Sequence, residues 1–378
     1  MKFFHLSDLH LGKSVHEFSM VEEQEYILKS ILAIADREQP RCVLIAGDVF
    51  DRSVAPSEAL RLFDDFLVGL ARRQIAVFVI SGNHDSAERL AFAARLMSGA
   101  GVHIAPAYEG QLIRHVLTDE FGEIDLCLLP FVRPGMVRRF FPERKIETWT
   151  DAVRCVLSQA ELMPGRRSIL LAHQFVTGGV TSDSEEDSVG GADNVDAAAF
   201  GGFDYVALGH LHGPQRMGRD SLRYSGSPLK YSFSEAGQQK SLTVVEMGPK
   251  GSLAIRQVPL APRHDLKELK GSYEQVAGKA FYDALDREDY FRVTLTDEQD
   301  QPDAMAKLRV IYPRLMRLEY DNKRTRAQDS MNEAGDTRAL SPLELFDSLY
   351  REQNGQDLTT QQREYLNEKI GTVWGEAR

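Results

Sequence analysis

The chain has 378 residues, 43% of them hydrophobic and 27% charged, with a net charge of −11 from 45 basic and 56 acidic residues. That is the composition of an ordinary globular protein with room for two or three domains. It argues against a general nucleic-acid coat and suits a carboxylate-lined metal centre. The N-terminal MKFFHLSDLHLG lacks the apolar core of a signal peptide, no run reaches membrane-spanning length, and the three cysteines, Cys42, Cys127 and Cys155, sit in apolar runs, so a cytoplasmic protein with reduced buried thiols is expected.

Taken in order, residues 2–6 form a short apolar strand ending in Ser7-Asp8-Leu9-His10. Residues 21–39 follow as a helix, with Ile27, Leu28, Ile31, Leu32 and Ala35 on one face and Pro40 beyond its end. Residues 42–46 are a second apolar strand, ending in Gly47-Asp48-Val49-Phe50-Asp51, and 57–72 a second helix with Ser57 as N-cap. Residues 76–80 form the third strand, which stops at Ser81-Gly82 and delivers Asn83, His84 and Asp85 to the crevice beyond a sheet edge. Strands alternating with amphipathic helices predict a parallel sheet covered on both faces.

A helix over 87–98 and a strand over 126–132 come next, then a helix over 149–162 closed by Pro164-Gly165. The strand at 168–172 ends in His173, and the strand at 205–208 runs into Gly209-His210-Leu211-His212. Between them, 178–202 is a long Gly-, Ser- and Asp-rich loop, a length that marks function or mobility. Strands at 222–227, 241–247 and 253–258 suggest a second sheet closing a domain over 1–260. Beyond Pro259–Arg263 the pattern of strands at 264–269, 290–296 and 314–320 with helices at 273–287 and 303–311 predicts a small α/β domain over 263–321. A polar linker over 321–340 leads to two helices in 341–378 whose apolar faces, Leu343, Phe346, Leu349 and Tyr350 on one and Tyr365, Leu366, Ile370, Val373 and Trp374 on the other, either fold back on the small domain or dock on a partner.

Five separate strands thus end in metal-ligand types: Asp8 with His10, Asp48, Asn83 with His84, His173, and His210 with His212. A lone histidine at a strand end is usually structural, but five such ends, mostly beside glycine, are not five accidents. Carboxylate, imidazole and amide donors without thiolates favour Mn²⁺ over Fe²⁺ or Zn²⁺. Seven ligands exceed the needs of one ion and suit two sharing a bridging carboxylate, the arrangement that clamps a phosphoester during hydrolysis. A basic cluster, Arg133, Arg138, Arg139, Arg144 and Lys145, interleaved with Phe131, Phe140 and Phe141, reads either as a DNA-phosphate surface or as a solvated face over core aromatics.

The series DLH, GDVFD, GNHD, His173 and GHLH resembles the calcineurin-like metallophosphoesterases. HQFVTGG followed by SDSE, LGHLHGPQ, and YSGSPLKYSFSE resemble the branch formed by the nuclease subunits of bacterial SbcCD complexes. The resemblance covers about residues 1–260 with specific motifs and the rest more loosely. It implies an α/β fold, a two-sheet metallophosphoesterase sandwich flanked by helices, with a small α/β cap domain and a C-terminal helical tail. On matching positions it implies that Asp8, His10, Asp48 and His212 hold one ion, that Asp48, Asn83, His173 and His210 hold the other, and that His84 is a catalytic histidine outside the ligand set. Asp85 is then a candidate to orient His84 or to cap a helix. Asp51 stands where related archaeal and eukaryotic nucleases carry a histidine, and its role stays open. The family further implies Mn²⁺-dependent cutting of duplex ends from 3′ to 5′ and of single strands and hairpins, a homodimer within a heterotetramer, and a coiled-coil SbcC-type ATPase gripped by the tail. Phosphoprotein or nucleotide phosphoesterases share these ligands and are the first alternative; a non-catalytic DNA-binding scaffold is the second.

Overall fold

The computed structural model describes residues 1–185 and 193–323, and beyond them residues 325, 343, 346–347, 350–351, 358–363, 365–366 and 369. In chain order the strands are β1 (Lys2–Leu6), β2 (Ser14–Val15), β3 (Phe18–Ser19), β4 (Cys42–Ala46), β5 (Ala76–Ile80), β6 (Val102–Ala105), β7 (Ile113–Asp119), β8 (Gly122–Leu129), β9 (Arg167–His173), β10 (Tyr205–Gly209), β11 (Gln215–Met217), β12 (Arg219–Tyr224), β13 (Ser241–Met247) and β14 (Leu253–Pro259). Two six-stranded sheets result, in the orders β14-β13-β1-β4-β5-β6 and β11-β12-β10-β9-β8-β7. The expectation that 241–247 and 253–258 belong to the second sheet is therefore corrected. β13 pairs antiparallel with β1, so these strands complete the first sheet, and the second is built from 113–224.

Period-2 alternation explains the layering. In the first sheet Phe3, Cys42, Leu44, Ala46, Phe78 and Ile80 face Leu126, Leu128, Ile169, Leu171, Tyr205 and Ala207 of the second, forming a core between the sheets. Their alternates Phe4, Leu6, Val43, Ile45, Val77 and Val79 pack beneath Ile27 and Ile31 of helix Val21–Glu38 and Phe63, Phe66 and Leu67 of helix Ser57–Arg72. On the outer face of the second sheet, Cys127, Leu129, Leu170, Ala172, Val206 and Leu208 meet Val137, Val153 and Val156 of helices Pro134–Arg138 and Trp149–Leu157. The central strands β4 and β5 are apolar throughout because both their faces are buried, one under helices and one against the other sheet. Two sheets sharing one core and flanked by helices are the sandwich that the resemblance implied; the β/α alternation by itself suggested helices on both faces of the parallel sheet, whereas each sheet has helices on one face and its partner sheet on the other.

Local departures have local causes. The second helix begins at Ser57, but its N-cap is Pro56, so Ser57 is the first helical residue and not the cap. The expected helix over 87–98 is two short ones, Ala87–Leu90 and Ala94–Met97, broken at Ala93 with φ 58°. The helix from Trp149 stops at Leu157, and Gln159 beyond it turns its side chain to the backbone of Gly110 and Leu112. All three cysteines are buried and free.

After β14 come β15 (Leu266–Gly271), β16 (Tyr290–Leu295) and β17 (Leu315–Tyr320), a three-stranded sheet in that order, with short helices Tyr273–Val276 and Lys279–Tyr282 in place of one helix over 273–287. By contact density one compact unit is Met1–Leu269 with Lys279–Val293 and Met305–Leu318; the other is Lys270–Gly278, Thr294–Ala304 and Glu319–Arg378. Within the first unit, His264 Nδ1 lies 2.5 Å from Glu23 Oε1 and Lys230 Nζ 2.8 Å from Asp265, which hold this segment to the sandwich. Of the tail residues named above, Leu349, Ile370, Val373 and Trp374 lie outside the described residues, as does 326–340 of the linker.

Candidate metal centre

The register of the sheets brings the strand ends together. Leu6 pairs with Ile45 and Ala46 with Ile80, while across the core Gly209 pairs with His173, so the loops after β1, β4, β5, β9 and β10 open at one edge. The first two continue side by side past their strands: Asp8 N donates to Gly47 O at 3.1 Å and His10 N to Asp48 O at 3.0 Å. To do this and still turn their side chains inward, Asp8, His10 and Asp48 take left-handed conformations, φ 53°, 43° and 49°, and His210 has φ 116°. Each such residue costs on the order of 1–3 kcal/mol, and a cluster of four is strain held at one place by the surrounding packing. Gly82 and Gly209 allow the close approach, since a Cβ on Gly82 would collide with the Asp48 carboxylate and one on Gly209 with the Ala46 carbonyl.

All eight residues singled out for the centre converge. Asn83 Oδ1 lies 2.9 Å from His173 Nε2 and 3.1 Å from His210 Nδ1. Asp48 Oδ2 lies 3.5 Å from His173 Nε2, 3.7 Å from His10 Nε2 and 3.9 Å from His84 Nε2. Three groups, Asp8 with His10 and His212, His10 with Asp48 and His84, and Asp8 with Asp48 and His173, each present donor atoms within 4.8 Å of one another, suited to a metal ion. His84 is about a fifth exposed, whereas Asp48, His10 and His173 are buried.

Hydrogen bonding behind the rings fixes where their electron pairs point. His173 Nδ1 sits 2.8 Å from the Ala46 carbonyl and donates to it, which turns Nε2 toward Asp48 and Asn83. His212 Nδ1 sits 2.6 Å from Ser184 Oγ, and that hydroxyl is 2.5 Å from Glu235 Oε1. The serine proton goes to the carboxylate, so Ser184 accepts from Nδ1–H and the Nε2 pair of His212 points inward. There it lies 3.0 Å from His10 Nε2. His10 Nδ1 is backed at 3.5 Å by Asp51, whose carboxylate is held by Lys13 at 2.7 Å. Electron pairs of imidazole, carboxylate and amide thus face one another across about 3 Å, an arrangement that calls for a cation among them.

Against the downward push of burial, Asp48 and Asp8 hold His173 up to about 9, so that without an ion its ring keeps a proton among these carboxylates. Burial pushes the Asp48 carboxyl up, but the imidazoles of His173, His10 and His84 outweigh it and hold it well below the ordinary carboxylate range. Asp8, buried and beside the charged Asp48, is pushed up to about 8. Burial drives His210 down to about 3 and His212 to about 4, keeping both rings neutral and able to donate an electron pair to a metal.

Asp85 does neither thing considered for it. Its carboxylate accepts N–H groups from Gly82, Val49 and Phe50 at 2.9–3.1 Å, bracing the loops of Asp48 and Asn83. Ser86 caps the following helix, and His84 Nδ1 instead meets the Asp51 carbonyl at 3.1 Å. Asp51 therefore serves two histidines, His10 through its side chain and His84 through its backbone. Sequence reasoning assigned no role to the residues behind His212 and His10. Glu235 is buried with Lys240 at 2.5 Å, Glu185 accepts the His212 N–H, and Gln24 and Tyr231 bond the His10 and Leu9 carbonyls at 2.7 and 2.5 Å. The signal for Ser184, Glu185, Tyr231 and Glu235 lay in the SDSE and YSFSE stretches, which read as family marks without functions; Gln24 and Lys240 lie outside both. Of the arginines, Arg133 reaches the crevice beside Asn83 and His210, Arg138 and Arg139 are exposed, and Arg144 is engaged with Ser158 Oγ at 3.0 Å and over Phe141.

A family model described as calcineurin-like phosphoesterase matches residues 1–214, and one described as type 5 capsule protein repressor C-terminal domain matches 262–354. The SbcD subunit of the nuclease SbcCD of Staphylococcus epidermidis is 34% identical over 324 residues, covering 84% of this chain and 85% of its own. The chain belongs to the SbcD family of calcineurin-like phosphoesterases. The SbcD subunit of Staphylococcus saprophyticus is 31% identical and aligns over 99% of this chain and 98% of its own. Among solved structures, TT1561 of Thermus thermophilus aligns with 68% of this chain and 98% of its own at 11% identity and TM-score 0.38. In this family the convergent histidines and aspartates have a ready purpose, because a calcineurin-like phosphoesterase domain works through divalent metal ions.

Proposed function

We propose that this chain is the nuclease subunit of an SbcCD-type complex, a metal-dependent phosphodiesterase cutting DNA ends and hairpins. The observation that carries the reading is the set of inward electron pairs at one strand-end crevice, in a chain one-third identical to SbcD subunits over most of its length. Asp8, His10, Asp48 and His212 would hold one ion and Asp48, Asn83, His173 and His210 the other, with Mn²⁺ suited to this donor set. Bound there, the ions supply Lewis-acid charge for a phosphodiester and acidify water.

The chain's own residues do the rest. Asp48, kept ionised by three imidazoles and fixed by the His84 N–H at 3.0 Å, places charge between the two ligand sets. His84 donates through Nδ1 to the Asp51 carbonyl, so its Nε2 faces the crevice, where a protonated ring can give its proton to the leaving oxygen. Arg133, which lines the crevice beside Asn83 and His210, and the exposed Arg138, Arg139 and Arg144 would contact DNA phosphates. The working division is a nuclease domain over 1–260, a cap over 263–321, and C-terminal helices over 341–378 that grip a coiled-coil SbcC-type ATPase. The assembly would be cytoplasmic and nucleoid-associated, with two copies of this chain, 3′ to 5′ exonuclease activity on duplex ends and endonuclease activity on single strands and hairpins.

The test is incubation of the purified chain with end-labelled single- and double-stranded DNA and Mn²⁺, with and without chelator, beside a phosphopeptide and a cyclic nucleotide. Chelator-sensitive DNA cutting is expected. Turnover of the phosphopeptide or cyclic nucleotide with DNA left intact would overturn the reading.

A further inference from the structure

Beside the centre opens a cavity of about 190 Å³ lined by Asn83 and His210, by the rings of Phe131, Trp149 and Phe175, and by the charged side chains of the exposed Arg133 and of Asp193. The Phe131 and Trp149 ring centroids are 5.6 Å apart at 51°, and Phe175 is 5.9 Å from the His210 ring. The Arg133 guanidinium lies over Phe131 at 5.4 Å. Trp149 and Phe175 are rooted on the outer core of the second sheet, yet each of the three rings remains partly exposed. They come from three separate elements, the loop after β8, the start of helix Trp149–Leu157, and the loop after β9.

Three aromatic faces suit a flat π-system, and the Asp193 carboxylate in the same lining disfavours a phosphate. Aromatic faces attract another ring, and a guanidinium stacked at the mouth extends the same surface. Because Asn83 and His210 line both the cavity and the metal centre, whatever fills it is attached next to the reacting phosphate. In a polynucleotide that group is a base.

We propose that the cavity is a nucleobase subsite, in which Trp149, Phe131 and Phe175 stack on the base of the nucleotide adjoining the scissile phosphate and Arg133 covers its open side. The proposal rests on the nuclease reading above and deepens it. Every base has a π-face, so the subsite would position substrate without selecting sequence, and it requires that the base be unstacked from its neighbours. It thereby gives a physical reason for cutting at ends, single strands and hairpins, where unstacking costs least.

Two measurements on the full chain test it. At constant Mn²⁺, dAMP should quench tryptophan fluorescence while deoxyribose 5-phosphate, which has no base, should not, and Trp149→Phe should abolish the quench because only Trp374 then remains. In single-turnover cleavage, an oligonucleotide with one abasic residue at the scissile position should show a KM about 10-fold above that of the intact strand. Trp149→Ala should narrow that ratio toward unity, and Trp149→Phe, which keeps an aromatic face, should restore most of it. Equal KM values for intact and abasic strands in the wild type, with cleavage intact, would overturn the subsite alone. Failure to hydrolyse any diester, bis(4-nitrophenyl) phosphate included, would overturn the nuclease reading and the subsite with it.

Discussion

Asp48 and His84 sit 36 positions apart, and their separate tasks show in their surroundings. Asp48 is buried among three imidazoles, while His84 keeps a partly exposed ring with its far nitrogen tied to a backbone carbonyl. Asp48→Ala should therefore lose bound metal and cleavage together, as read by metal analysis of the dialysed protein beside an activity assay. His84→Asn should retain both ions and DNA binding yet lose roughly 10²–10⁴-fold in turnover, the range of general acid effects. A metal-free His84→Asn protein would make His84 a ligand, which its place in one of the three donor groups geometrically permits. The Ser184 hydroxyl yields a second test at this scale, because it passes the pull of Glu235 to His212 and so decides which nitrogen faces inward. Ser184→Ala should weaken metal binding by about 10- to 100-fold, the usual effect of removing a ligand's hydrogen-bond partner, with little change in global stability. Titration calorimetry with Mn²⁺ reads this directly, and an unaltered affinity would leave Ser184 a loop residue only.

Strands and helices owe their places to how much of each face is buried. β4, β5 and β13 occupy the residues expected of them, 42–46, 76–80 and 241–247, because their apolar runs serve two cores at once. β7 was missed: Ile113–Asp119 is an edge strand, half exposed along its length, and its mixed sequence carries no strong run. The two sheets are also joined by a polar tie that no periodicity reveals. His5, fully buried on β1, meets the Tyr205 hydroxyl at 2.9 Å and the Leu208 carbonyl at 3.0 Å, both on β10. Burial holds its pKa down at about 3, against 6.5 for an ordinary histidine. An unfolded chain takes up the proton below that ordinary value and the folded one refuses it, so stability from this group is full above about pH 6.5 and falls by about 1.4 kcal/mol per pH unit from there toward pH 3. Urea unfolding of the wild type and His5→Gln between pH 7 and pH 4 should show a curve flatter by that one proton in the variant. Parallel curves would mean that His5 does not stay neutral in the folded protein.

At the scale of the whole chain, the excess of acid over base speaks against DNA binding over the general surface, and leaves the proposed contacts to the arginines beside the crevice and to a partner. The tail bears on the partner. Deleting residues 341–378 should leave Mn²⁺-dependent cutting of single strands intact while abolishing co-purification with the SbcC-type ATPase and ATP-stimulated degradation of duplex ends. A truncated chain that still co-elutes with the ATPase and responds to ATP would show that docking lies elsewhere.

Which residues meet at the centre is already written in the order of the amino acids. Each ligand type stands immediately after an apolar run, and a run of that kind has to be a buried strand whose end lies at a sheet edge, so Asp8, Asp48, Asn83, His173 and His210 were legible from local pattern alone. How many sheets those strands form emerges only from the folded chain, since an apolar run reports that both faces are covered and not by what. The same holds for the roles of Asp51, Asp85, Ser184 and Glu235: the first two do stand beyond apolar runs, but a run does not say what a side chain there will bond. Their parts depend on which carbonyl, hydroxyl or N–H a distant loop brings within about 3 Å, and Glu235 reaches Ser184 across 51 positions of chain. Sequence patterns record burial, which is a property of each segment; hydrogen-bond partnership is a property of pairs, and pairs exist only once the chain has closed on itself.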